Sequence, residues 1–265
     1  MRKNFYKIVL PAALIAALMS SGCGKSNSDS ASNQTTIASD SQTVTAADGN
    51  EEEEKVSTVE VAEYEDSDFD EDYDESTATI ITLSDTITVS GDNATVKDNI
   101  VTITAGGTYI ITGTGNGQIV VDSEDKEIVR LVMKNATLKS DSDSPIYIAQ
   151  AKKTIVTLAA GTTNQITDTA SHEESTDENA INTDAAIYSK DSITINGSGS
   201  LTINCTNANG LTSKDHLVIT NGTLNITAGN NGLKGKDYVL INNGDITIDS
   251  ANDGIKSTNT KDTSL

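Results

Sequence analysis

A segment near the end of the chain repeats every 22 residues. The sequence Asn-Gly-Leu-Thr-Ser-Lys-Asp at 209–215 returns as Asn-Gly-Leu-Lys-Gly-Lys-Asp at 231–237, and then as Asp-Gly-Ile-Lys-Ser at 253–257. A unit of this length cannot bury its own apolar side chains, so successive copies must stack on one another. The repeat therefore restricts this part of the chain to a solenoid.

The apolar positions within each copy predict three short strands per coil. Leu211, for example, recurs as Leu233 and Ile255. From residue 79 onward the chain consists of short β-branched runs separated by Gly, Asn and Asp, with no helical period. We therefore predict an all-β fold, a right-handed parallel β-helix over residues 79–265. Because the third copy is cut short, we expect this domain to be incomplete at its C-terminal end.

The first 22 residues have the features of an export signal. A basic start is followed by an apolar run over 8–19 that is too short to span a bilayer comfortably. Small residues then lead to Cys23, as in a bacterial lipobox, although Ser20 departs from its usual aliphatic residue. We predict a lipoprotein signal peptide over 1–22 and lipidation of Cys23, which would anchor the protein on the extracellular face of a bacterial membrane. An ordinary cleaved signal followed by a free cysteine is the alternative.

Residues 23–78 are rich in Ser, Thr, Ala, Asn and acidic side chains. Low hydrophobicity combined with like charge predicts a disordered acidic linker. Lipidation of Cys23 would leave Cys205 as the one remaining thiol, so no internal disulfide is expected, and Cys205 is predicted to be a small core residue.

The net charge of −21 excludes most polyanionic partners. An acidic surface repels nucleic acid unless divalent cations bridge the two, so we expect no nucleic-acid partner. Arginine, which recognises phosphates and carboxylates bidentately, occurs only at Arg2 and Arg130. We expect the protein to be a monomer.

Stacking of the coils would align carboxylates and amides into two columns about 4.8 Å apart from rung to rung. The aligned residues, as predicted metal ligands, are Asp191, Asp215 and Asp237 in one column and Asn209, Asn231 and Asp253 in the other. Calcium would relieve the repulsion between stacked carboxylates and also accepts amide oxygens. Alternatively, the asparagines form a ladder of amide hydrogen bonds, and the aspartates pair with lysines or face solvent.

Lysines also align between coils, and we predict that they bind carbohydrate together with one tyrosine. These residues are Lys214, Lys234, Lys236, Lys256 and Tyr238. Each ammonium group is a compact charge with three donors, which suits the carboxylates of uronic acids. Lysines that merely make the surface soluble would give the same pattern.

Two sets of motifs resemble a known family. The element Asn-Gly-Leu-Lys-Gly-Lys-Asp at 231–237, and the Pro-Ile-Tyr at 145–147 followed by Thr-Leu-Ala-Ala-Gly-Thr at 157–162, are similar to those of the bacterial carbohydrate-binding domain family of clostridial surface lipoproteins. The resemblance covers residues 79–265 and implies a pectate lyase-like β-helix that contains calcium and binds plant cell-wall polysaccharide. Asn209 and Asn231 stand where Asp is common in the family.

The sequence therefore predicts a cell-surface lipoprotein that binds acidic glycans such as polygalacturonate, or cellulose, with the help of calcium. A calcium-dependent pectate lyase-like enzyme and a non-binding spacer or adhesion scaffold are the alternatives. No catalytic residue can be named, because no single lysine or carboxylate is distinguished by a motif. His172 and His216 are isolated in the sequence, so neither a zinc site nor a nucleophilic triad is predicted.

Overall fold

The computed structural model describes residues 4–9, 62–125, 127–172 and 182–259, and these are almost entirely β-strand. They form a parallel β-solenoid of about six turns, which confirms the predicted fold. Within these ranges a single short helix, α1, spans Asp66–Phe69. The strands are β1 Asn4–Val9, β2 Thr79–Leu83, β3 Thr88–Ser90, β4 Ala94–Lys97, β5 Ile100–Ile103, β6 Gly107–Asn116, β7 Gln118–Asp122, β8 Ile128–Ser140, β9 Ile146–Gln150, β10 Lys153–Leu158, β11 Thr163–Asp168, β12 Ala185–Ser189, β13 Ile193–Asn196, β14 Ser200–Cys205, β15 Asn209–Ser213, β16 His216–Ile219, β17 Thr223–Ala228, β18 Leu233–Gly235, β19 Tyr238–Ile241, β20 Asp245–Ser250 and β21 Ile255–Ser257.

Each complete coil contributes one strand to each of three faces. Face 1 consists of β10, β13, β16 and β19, face 2 of β11, β14, β17 and β20, and face 3 of β9, β12, β15, β18 and β21. The long strand β8 belongs to two faces, because its first half pairs with β10 and its second half with β11. Strands β5 and β7 extend face 3 towards the N-terminus, whereas β1 lies antiparallel to β20 at the edge of face 2.

The 22-residue repeat sets the register of the last coils. Leu211 aligns with Leu233 on face 3, and Leu224 aligns with Ile246 on face 2. These four side chains are at most 1% exposed and belong to one continuous core. Burial of each such side chain contributes about 1.5–3 kcal/mol. The periodic apolar positions therefore fix which side chains face inward, and by alternation which ones reach the surface.

The structure differs from the sequence prediction over residues 62–78, which the composition assigns to the disordered linker. This segment, here called the strap, lies against the outside of face 1. The buried carboxylate of Asp68 lies 2.8 Å from Lys153 Nζ, and the exposed carboxylate of Asp70 lies 2.8 Å from a guanidinium nitrogen of Arg130. Lysine and arginine side chains of the solenoid thus compensate the negative charge of the strap. That charge is what predicts disorder when the segment is considered without the rest of the chain.

The remaining N-terminal predictions concern residues that the structure leaves largely undescribed. Cys23 and most of the linker lie outside the described residues, as does the signal peptide apart from strand β1. No helix among the described residues is both long and apolar enough to cross a bilayer.

Candidate functional site

The outer surface of face 3 carries a column of side chains at equivalent positions in successive coils. The column consists of Val120, Tyr147, Tyr188, Thr212, Lys234 and Lys256. Their neighbours along the strands, such as Ile146 and Ile187, face the core, because successive side chains of a strand point to opposite sides. The column therefore has aromatic rings in its middle and amines at one end.

Tyr147 and Tyr188 form the aromatic part of the column. Their ring centroids are 5.9 Å apart, and both residues are buried. Lys190 Nζ lies 5.8 Å from the ring centroid of Tyr147, and Lys214 Nζ lies 5.3 Å from that of Tyr188, within the range in which a ring face attracts a cation. Burial raises the pKa of Tyr188 to about 12, and the charge of Asp184 adds to this effect. The neutral rings therefore position lysine ammonium groups at the surface.

Asp184 contacts one lysine from each of two lysine columns. One column consists of Lys190, Lys214 and Lys236, which follow face 3 in successive coils, and the other of Lys234 and Lys256. Lys234 Nζ donates a hydrogen bond to Asp184 Oδ2 at 3.0 Å, and Lys214 Nζ lies 3.8 Å from the same oxygen. Burial alone would raise the pKa of Asp184, but the hydrogen bond from Lys234 and the charges of both lysines lower it below its usual value. Among the described residues, Asp184 Oδ1 and the phenol oxygen of Tyr147 are buried without a hydrogen-bond partner. Two enclosed polar atoms beside the lysines thus lack a hydrogen-bond partner within the protein.

Sequence reasoning did not single out Asp184, Tyr147 or Tyr188 as functional. The dipeptide Ile-Tyr recurs at 146–147 and 187–188 and was the signal that could have aligned the two rings. Insertions between these coils obscure the 22-residue period there.

The four lysines predicted to bind carbohydrate lie on face 3 or at the corner that follows it. Lys234 and Lys256 are neighbours in the register, as predicted. Lys214 and Lys236 occupy equivalent positions after β15 and β18, and Lys236 is exposed. Lys256 lies 2.9 Å from Asp253, so the predicted metal ligand Asp253 serves here as the partner of a lysine.

The predicted carboxylate column lies at the corner between faces 3 and 1, and only part of it converges. Oxygens of Asp215 and Asp237 lie within 4.8 Å of one another and of a ring nitrogen of His216. Asp191 Oδ2 accepts the backbone N–H of Ala151 at 2.9 Å. Asp215 Oδ2 likewise accepts the hydroxyl of Ser192 at 2.7 Å, so Asp191 and Asp215 each have one oxygen that already receives a donor. Asp215 and Asp237 together still offer the oxygen ligands that a hard cation prefers.

Tyr238 lies beside this carboxylate cluster. Its ring stacks on that of His216, with 3.9 Å between centroids and 15° between planes. His216 Nε2 in turn lies 3.2 Å from Asp215 Oδ1. The imidazole therefore covers one face of the tyrosine ring that we predict to bind carbohydrate, and Tyr238 is half-buried.

The asparagine column forms a ladder of amide hydrogen bonds. Asn209 Oδ1 accepts both the backbone N–H and the side-chain amide of Asn231, at 2.9 and 2.8 Å. Asn231 Oδ1 accepts the backbone N–H of Asp253 at 3.2 Å. Both asparagines are buried, and their oxygens already receive donors. The structure thus does not fit the prediction that Asn209 and Asn231 bind metal and favours the alternative amide ladder.

Comparison with known proteins identifies the type of domain. Residues 97–265 match the sequence model of a family described as carbohydrate-binding domain-containing protein. The chain belongs to this family. The matched range contains the lysine columns, Asp184 and both tyrosines, so the carbohydrate-binding domain includes the whole candidate site.

Two relatives show how far the similarity extends. A carbohydrate-binding domain-containing protein of Acetivibrio thermocellus is 38% identical over 139 residues, which are 52% of this chain and 48% of the relative. The chain thus spans about half the length of that curated relative. A solved structure of a polysaccharide lyase-like protein from C. thermocellum, a gadolinium derivative, matches with a TM-score of 0.65 and 38% identity over 69% of this chain and 74% of the other. The carbohydrate-binding domain shares this polysaccharide lyase-like fold.

Proposed function

We propose that this protein binds acidic plant cell-wall polysaccharide, such as polygalacturonate, along the outside of face 3. The convergence of Lys190, Lys214 and Lys234 around Asp184 and the tyrosine pair carries this proposal. These cations are concentrated on one surface of a chain whose net charge is −21. A polyuronate presents one carboxylate per sugar, and each ammonium group can donate three hydrogen bonds.

We further propose that calcium assists this binding at Asp215 and Asp237. Calcium takes six to eight oxygen ligands, so an ion held by these carboxylates can also accept carboxylates of the polysaccharide. The half-buried position of both side chains, open to solvent on one side, supports such a bridge. The solved relative is described as a gadolinium derivative, and gadolinium, like calcium, is a hard cation that prefers oxygen ligands.

The double variant Lys190→Ala/Lys214→Ala, which removes the two cations beside the tyrosine rings, tests the binding proposal. We expect its affinity for polygalacturonate to fall at least roughly tenfold, because two charge-assisted contacts are lost and about 1.4 kcal/mol corresponds to a factor of ten. Isothermal titration calorimetry with oligogalacturonate, with calcium and with chelator, measures the change. Asp215→Asn/Asp237→Asn should remove the difference between the calcium and chelator measurements.

The matched control is Lys134→Ala/Lys139→Ala, which removes two lysines of β8 that lie away from face 3 and should leave affinity unchanged. Equal affinities for wild type and for the face 3 double variant would reject the proposed surface. Retention on cellulose but not on pectate gels would show that the ligand is uncharged. Because the solved relative is described as polysaccharide lyase-like, the same samples are followed by ultraviolet absorbance, and unsaturated products would reveal a lyase.

We also propose that Cys23 carries a lipid that holds the protein on the outer surface of the cell membrane. The basic and apolar start of the chain and the small residues before Cys23 support this. Cys23→Ser should move the protein from the membrane fraction to the medium or leave its signal uncleaved. An unchanged, processed, membrane-bound variant would contradict the anchor.

A further inference from the structure

Three side chains of different chemistry meet at the corner where β11 and β14 end. Asp168 and Cys205 are paired in the register of these strands, and His172 follows in the polar insertion. His172 Nε2 lies 2.7 Å from Asp168 Oδ2, and Cys205 Sγ lies 3.8 Å from the same oxygen. The side chains of His172 and Asp168 are 4% and 0% exposed, and Cys205 is 2% exposed. The donor atoms of all three lie within 4.8 Å of one another.

Neighbouring groups hold these side chains in a fixed orientation. The second ring nitrogen of His172, Nδ1, lies 3.0 Å from the carbonyl oxygen of Thr183, which directs Nε2 towards Asp168 and Cys205. Asp168 Oδ1 accepts the backbone N–H of Ala170 at 2.9 Å, which leaves Oδ2 for the cluster. His172 also has a φ of 52°, an uncommon backbone conformation for a residue with a side chain. A carbonyl bonded to the outer nitrogen of histidine is the arrangement usually found behind a metal-binding imidazole.

We propose that Cys205 Sγ, His172 Nε2 and Asp168 Oδ2 bind a divalent transition-metal ion of the zinc class. Thiolate, imidazole and carboxylate are the ligand types of zinc, whereas calcium requires oxygen ligands. Tetrahedral bonds of about 2.0–2.3 Å place ligand atoms roughly 3.3–3.7 Å apart. The 3.8 Å between Cys205 Sγ and Asp168 Oδ2 is close to this range, whereas His172 Nε2 and Asp168 Oδ2, at 2.7 Å, would have to move apart. The metal replaces the thiol proton and the proton on Nε2, and both protons pass to solvent. Water completes the coordination.

Such an ion would link the paired strands β11 and β14 to the polar insertion. It would join the ends of two neighbouring coils and fix the first part of the insertion, while the contact between His172 and Thr183 brings the last part alongside. From the sequence, His172 is predicted to be isolated and Cys205 to be an ordinary core residue, because 33 residues separate the two. A hydrogen-bonded corner without metal is the alternative that the experiment must distinguish.

Cobalt(II) is the probe, because a cobalt–thiolate bond gives an intense near-ultraviolet charge-transfer band. We expect one equivalent of cobalt to produce this band in the chelator-treated full chain, and one equivalent of zinc to abolish it. Excess calcium should leave the band unchanged. Cys205→Ala should lose the band yet still fold, since Ala228 occupies the equivalent position one coil later. Zinc should raise the melting temperature of wild type but not of Cys205→Ala.

Two control variants separate this site from other ligands. Cys23→Ser removes the other thiol of the chain, and His216→Ala disrupts the second cluster of possible metal ligands, so both should keep the cobalt band. Absence of the band in wild type, or its persistence in Cys205→Ala, would overturn the proposal. His172→Ala and Asp168→Asn should each weaken cobalt binding at least about tenfold. Circular dichroism confirms that each variant is folded before titration.

Discussion

Replacement of Lys153 by methionine is expected to lower the free energy of unfolding by about 3–5 kcal/mol. The Lys153 ammonium lies 2.8 Å from Asp68, and the two side chains are 8% and 1% exposed. Methionine keeps most of the aliphatic volume of lysine but removes the charge. The buried Asp68 carboxylate would retain the hydroxyl of Thr194, at 2.6 Å, and the backbone N–H of Glu65, with no lysine to neutralise it. Urea denaturation at neutral pH measures the loss.

Lys134→Met is the matched control for this prediction. Lys134 also pairs with a strap carboxylate, Glu75 at 2.6 Å, but the two side chains are 40% and 56% exposed. An exposed pair contributes at most about 1 kcal/mol, so this variant should be nearly as stable as wild type. The double variant Lys153→Met/Asp68→Leu should recover much of the lost stability, because it leaves no uncompensated charge. Equal losses in the two single variants would contradict a buried pair.

Asn209→Asp is expected to destabilise the solenoid by roughly 3 kcal/mol at neutral pH, and calcium should not restore the loss. The amide of Asn209, which is 0% exposed, donates to the carbonyl oxygen of Asp184 at 2.8 Å and to Thr212 Oγ1 at 3.1 Å. A carboxylate cannot donate to these oxygens, and it would bring a buried negative charge against them. Thermal denaturation with and without calcium measures the effect.

Asn225→Asp serves as the control for this substitution, because Asn225 is exposed on β17. A surface change of this kind normally alters stability by less than about 0.5 kcal/mol. If Asn209 were instead a calcium ligand, the added carboxylate would strengthen the site, and calcium would raise the melting temperature of Asn209→Asp above that of wild type. That outcome would restore the metal-ligand interpretation of the asparagine column.

The repeat predicted the fold and the register because inward apolar residues recur at a constant interval. Leu211 and Leu233 are aligned as the sequence indicates, and so are the surface lysines Lys234 and Lys256. The strap was not predicted, because composition reports its charge but not the cations that it meets. Asp68 and Lys153 are 85 residues apart, and nothing periodic connects them.

The candidate site was predictable only where the period holds. The lysine columns follow from the 22-residue interval, whereas Asp184 and Tyr188 lie next to the polar insertion, where the interval changes. His172 lies inside that insertion, so its contact with Asp168 depends on a path of the loop that no pattern in the sequence reveals. The repeat predicted that Asn209 and Asn231 form a column. Whether they bind metal or hydrogen-bond to each other depends on their burial, which the aligned repeats alone do not give.

The constant length of the last coils has an evolutionary consequence. An in-frame duplication of 22 residues would insert one complete rung, about 4.8 Å high, without disturbing the rungs on either side. Each new rung would bring its own inward leucine and outward lysine. Affinity for a long polymer could therefore grow through valency, by gain or loss of whole units, with no new contact chemistry to be invented.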